Sequence, residues 1–80
     1  MNNIRLTDCK IGFKYRVINM NFESKDLHIL NSLGICIGSI VFIKNVSLFR
    51  NIMNIGIDRI GNLSFVMLRY VDAKRIYVEQ

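Results

Sequence analysis

Proline and tryptophan are absent from the 80 residues, and histidine occurs once. With no proline there is no rigid Pro-rich linker, and no low-complexity tract or internal repeat is visible. One imidazole, His28, must serve every acid–base scheme. No Ser/His/Asp or Cys/His set stands at motif spacing, and no glycine-rich loop is built to cradle a phosphate. The chain therefore reads as a non-enzyme. The only cysteines, Cys9 and Cys36, form neither a C-x-x-C pair nor a Cys/His quartet, which excludes the usual structural zinc site. A single disulfide would be a poor scaffold for a secreted domain of this size, so a reducing cytoplasm is expected. The first residues lack an apolar core of the signal-peptide kind, and uninterrupted apolar runs are far shorter than a bilayer span.

What is present is apolar and basic. Apolar residues make up 51% of the chain, and the formal net charge is +5. A single domain over residues 1–80 is expected; a chain this short buries only about 60–65% of its unfolded surface, so its core must be dense. The lysines and arginines never form a run. They read as a solvated basic surface biased towards anionic partners.

Residues 27–38 organise the chain. Leu27, Leu30 and Leu33 recur at helical spacing as a buried stripe, with Lys25, His28 and Ser32 opposite and Ile29 at the margin. Ser24 is the expected N-cap, and Asp26 suits the first turn. Gly34 ends the helix as the residue past the C-cap. Ile35 and Ile37 then tuck back on the core, and Gly38 turns into the next strand. Cys9 and Cys36 are expected as small buried hydrophobes.

Strand signals lie on both sides. After a polar start at residues 1–5, Leu6 and Ile11 fold over the domain and Gly12 opens a strand. Residues 13–17 alternate apolar and basic, as a half-buried strand does. Ile18 and Met20 shift that phase by one, which predicts a bulge. Residues 40–43 are a β-branched run, and residues 45–51 a loop carrying Leu48 and Phe49. Ile52 with residues 55–57 makes a third strand. A hairpin turn at residues 59–62 leads to a strand at 63–69, a helical turn at 71–74 and a last strand at 76–78. The glycines at 12, 34, 38, 56 and 61 all read as turn and cap residues. The fold class is mainly β: about five strands in a small barrel, with one short helix between strands 1 and 2. A closed or nearly closed barrel is expected, since open edges in so apolar a chain invite aggregation.

The order strand, Leu-x-x-Leu-x-x-Leu-Gly-Ile-x-x-Gly (residues 27–38), Ile/Val strand, hairpin, Val66–Met67–Leu68–Arg69, Ala73 and Ile76-x-Val78 resembles the FeoA family. Gly12, Leu30, Leu33, Gly34, Ile35, Gly38, Leu68, Arg69 and Ala73 fall on that family's pattern. Ile37 stands where the family often has proline, and His28 and Ile29 stand where it often has helix arginines. The resemblance implies an SH3-like barrel and a cytoplasmic accessory role in ferrous iron transport, by docking on the cytoplasmic part of the FeoB transporter. Related domains end metal-responsive repressors of the DtxR type, and this chain resembles the free-standing form.

The surface expected to meet such a partner comprises Lys25, His28, Ile29, Ser32 and Cys36, joined by Phe49 and Arg50 from the neighbouring loop. No metal ligand set is assigned and no cofactor is expected. Glu23, Asp26, His28 and Cys36 offer ferrous-type donors for at most weak transition-metal binding, because Asp26 and His28 do not share a helix face. An exposed Ile29 or Phe49 would support a weak homodimer. The rival reading is a nucleic-acid-binding barrel using Lys14, Tyr15, Arg16, Lys44, Phe49 and Arg50 as a basic, aromatic face.

Overall fold

The structure is a computed structural model and describes residues 3–80. Runs of β-branched and aromatic residues form most of it, as period-two burial requires. The elements are β1 (Ile4–Arg5), a 3₁₀ turn (Leu6–Asp8), β2 (Tyr15–Met20), α1 (Ser24–Ser32), β3 (Ile40–Val46), β4 (Ile52–Arg59), β5 (Asn62–Arg69), α2 (Tyr70–Ala73) and β6 (Ile76–Glu79). All six strands belong to one antiparallel sheet of order β1-β6-β2-β3-β4-β5, an SH3-like barrel. Its sixth strand, β1, lies in the stretch read as a polar start. Ile4 pairs with Val78 and Arg5 with Tyr77, so β1 exists because β6 offers it a ladder. Residues 1–2 of that start lie outside the described residues.

The core is built from alternate residues of each strand. Val17, Val41, Ile43, Met53, Ile55, Ile57, Ile76 and Val78 are sealed from solvent, and no polar side chain among the described residues is fully buried. The phase slip is a bulge between Val17 and Asn19 in the β2–β6 ladder. A second bulge, between Ile43 and Asn45, leaves Lys44 unpaired. Leu6 caps the core as expected, but Ile11 and Phe13 stay exposed. Residues 10–14 form a turn rather than a strand start, and β2 begins at Tyr15. Gly56 is not a turn residue: it lies mid-strand beneath the Phe42 ring, where a Cβ would overlap the ring.

The ladder does not close. Among the described residues β1 and β5 each pair with one neighbour and not with each other. The two edges differ: β1 has two residues and β5 has eight.

Candidate functional site

Helix α1 is held to the barrel mainly by one side chain. Leu30 is its single buried residue, and Leu27 packs partly against the core. Ser24 is the first helical residue rather than the cap, and Glu23 at the N-cap makes no side-chain cap bond. The other end is tightly specified. The Gly34 N–H donates to the Asn31 carbonyl at 3.0 Å and the Ile35 N–H to the Leu30 carbonyl at 2.9 Å. Gly34 takes φ +99°, and the pattern is a Schellman motif with its apolar contact between Leu30 and Ile35.

This ending explains the error in the expected stripe. Leu33 is the C-cap, where the chain leaves the helix, and it is 43% exposed. Ile35 is buried in its place, while Ile37 faces solvent. A Cβ on Gly34 would also overlap the Arg59 guanidinium, which lies against the helix end. A cation there suits the negative pole of the helix.

Between α1 and the end of β5 runs a groove of about 190 Å³ lined by Phe22, Asp26, Ile29, Leu30, Leu33, Leu68, Arg69 and Asp72. Its floor is apolar and its rim charged. The Arg69 Nε donates to Asp72 Oδ2 at 3.0 Å and Nη2 to Oδ1 at 3.4 Å. That hydrogen bond and the Asp72 charge raise the Arg69 pKa further, and Asp26 adds to it, so the rim keeps its cation. Both partners remain substantially solvated, so the pair orients the rim more than it stabilises the fold.

Seven residues were expected at the partner surface, and all seven are exposed. Only Ile29, 56% exposed, lines the groove. Lys25, His28 and Ser32 lie elsewhere on α1, and the Ser32 hydroxyl donates back to the Ile29 carbonyl at 2.6 Å. Cys36 is exposed in the turn after the helix, its Sγ 3.3 Å from Ser39 Oγ, which corrects the expectation of a buried thiol. The turn holds Cys36 outward because its N–H and the Gly34 carbonyl both bond Ser39 Oγ. Phe49 and Arg50 sit at a loop tip, Arg50 with φ +58°. Arg50 lines a different depression, with Thr7, Cys9, Ile11, Ile43, Val46 and Tyr70.

Cys9 is half-buried and packs against the core. Burial, aided by Asp8, pushes its thiol up to about 11. Among the described residues no three His, Cys, Asp or Glu side chains gather where they could hold a metal ion, so Glu23, Asp26, His28 and Cys36 do not form one site. The basic, aromatic face of the rival reading is dispersed. Tyr15 is buried, its hydroxyl accepting from the Lys10 N–H at 3.2 Å, and it has no face for stacking. Lys14 is paired with Asp58 at 2.6 Å. Lys44 lies over the Phe65 ring, 4.7 Å from its centre. The groove walls Phe22, Arg69 and Asp72 were not singled out as a site from sequence. Their one local signal is the i, i+3 spacing of Arg69 and Asp72, because the groove joins segments far apart in the chain.

A protein-family model described as the FeoA domain matches residues 4–80. No curated protein matches the chain. Among solved structures, a FeoA-like protein from Clostridium acetobutylicum is 25% identical with TM-score 0.79, over 99% of this chain and 87% of that one. The FeoA protein from Chlorobium tepidum is 20% identical with TM-score 0.81, over 95% and 69%. A manganese-dependent transcriptional repressor in complex with manganese is 21% identical with TM-score 0.85, over 100% of this chain but 37% of that one. The last two likenesses concern the fold.

Proposed function

The chain belongs to the FeoA family, and from that premise we propose that it is a non-catalytic, cytoplasmic accessory protein of ferrous iron uptake that docks on the cytoplasmic domain of the FeoB transporter. A FeoA domain supports a role in iron uptake or its regulation. No helix among the described residues is long and apolar enough to cross a membrane, so on this reading membrane recruitment runs through the transporter.

One observation carries the reading. Ile29 and Leu33 stand exposed side by side along a groove whose floor is Leu30 and Leu68 and whose rim is Asp26, Arg69 and Asp72. An apolar strip with a charged rim is the composition of a protein–protein contact. In this reading Ile29 and Leu33 are the anchors, with Lys25, His28, Ser32 and Cys36 at the margin. Phe49 and Arg50, at a loop tip away from the groove, form a second contact, Arg50 lining a different depression.

The test is an NMR titration of labelled protein with the cytoplasmic domain of the cognate transporter. Shifts concentrated at residues 25–38 and 68–72, with a second set at residues 49–50, are expected. Ile29→Glu should weaken binding by about tenfold or more, which corresponds to at least about 1.4 kcal/mol, with an unchanged melting midpoint. Undiminished affinity in that folded variant would remove α1 from the interface.

A further inference from the structure

The second edge strand carries an unpartnered surface that the docking reading does not use. From Asn62 to Leu68, β5 has no charged residue, no proline and no bulge against β4. These are the devices that natural sheets use to guard an edge, and β5 lacks them all. Leu63, Phe65 and Met67 point to the outer face and are 52%, 45% and 71% exposed.

Backbone and side chains agree at these three positions. Arg59 pairs with Asn62 across a two-residue connection. The closing pair of such a hairpin exchanges both backbone bonds, and pairing then alternates along the ladder. The N–H and C=O groups of Leu63, Phe65 and Met67 therefore turn away from β4, towards the open edge. Each of the three offers an apolar side chain and, among the described residues, backbone bonding groups without a partner.

We propose that β5 is a self-association strand, pairing antiparallel with β5 of a second copy about a two-fold axis at Phe65. In that register Phe65 faces Phe65 of the second copy, and Leu63 faces its Met67. The three facing pairs are hydrogen-bonded ones, supplying about six backbone bonds. A second copy fits for reasons of symmetry and charge. The 63–65–67 pattern is self-complementary, as an isologous contact demands. Each copy carries +5, so two copies can meet only where cations are absent or engaged. The flanking Arg69 is bonded to Asp72, and the Arg59 guanidinium lies against Gly34. The Phe65 ring is held edge-on by Phe42, at 6.2 Å and 88°, with Lys44 over its face. The Phe42–Gly56–Phe65 row thus presents a firm apolar platform. One strand pair is a small interface, so the dimer is a reversible one.

Sedimentation of the full chain, followed into the high micromolar range, tests this. A monomer–dimer equilibrium is expected, and Met67→Lys should weaken it at least about tenfold at an unchanged melting midpoint, since that side chain faces solvent in the monomer. In a Cys36→Ser background, Phe65→Cys should cross-link to itself under mild oxidation. Leu63→Cys should not, because its mate in the second copy is Met67, although the Leu63→Cys/Met67→Cys pair should. A monomer at every concentration overturns the proposal. So does a dimer indifferent to Met67→Lys, which would put the contact at Ile29 or Phe49, or cross-linking that is as strong at Leu63→Cys alone.

Discussion

Strand β4 and helix α1 are nearly equal in length, eight and nine residues, yet they take opposite parts in the fold. β4 buries Met53, Ile55, Gly56 and Ile57 between two full ladders. α1 buries Leu30 alone and leaves Ile29 and Leu33 in solvent. The barrel is held by its strand ladders, whereas the helix is pinned mainly by Leu30, with Leu27 partly packed, and is stopped by a glycine. An element with so little packing to lose is free to offer its apolar residues to something else. In a chain of 80 residues, surface that does not feed the core is where a binding role can be placed.

The comparison can be broken most forcefully in β4. Ile55→Ala, at a fully sealed position, should cost about 3–5 kcal/mol and lower the chemical-denaturation midpoint accordingly. Leu30→Ala should cost less, about 2–3 kcal/mol, because the helix can resettle over the space. A loss equal to that of Ile55→Ala would mean that α1 is as integral as β4. The Ile29→Glu variant described above belongs below both, with no loss of stability and its effect confined to binding.

The cysteines sharpen the same contrast by chemistry. Cys36, exposed on the turn that leaves α1, should be alkylated by iodoacetamide well before Cys9, which packs against the barrel. Mass spectrometry of partly modified protein reads the order. Cys9 also adds a small pH dependence. Its thiol is raised in the folded state from about 9.0 to about 11, so the folded chain holds the proton that the unfolded chain has released. Its contribution to stability is full below about pH 9 and is lost as pH rises through about 11. Cys9→Ser should flatten the alkaline limb of a denaturation series without moving the neutral plateau.

Much of the fold was legible in local pattern. Alternation in β2 put Tyr15 and Val17 on its inward face, the β-branched run at residues 40–43 marked β3, and the slip at Ile18 marked the bulge before any partner strand was known. Gly34 announced the helix end. The positions that misled are those where the inward face is decided by a neighbour. Leu33 has the spacing of a core residue, but the Schellman turn hands its place to Ile35. Cys36 has isoleucine neighbours, but Ser39 holds its turn outward. Of the site, Ile29 was visible at the margin of its helix, whereas the groove beside it needed β5 and α2 to arrive from forty residues away.

By itself the sequence determined the class of the molecule: a small β domain with one helix and a basic, apolar surface. It could do so because these properties follow from composition and from short-range periodicity, which each segment carries without its neighbours. Only the tertiary structure decided which apolar residues are spent in the core and which are left over. It gave β1 its ladder, placed Phe42 on Gly56, and left the eight residues of β5 as an open edge. Those outcomes depend on pairing between distant segments, and such pairing is set by the global packing rather than by any one stretch of chain.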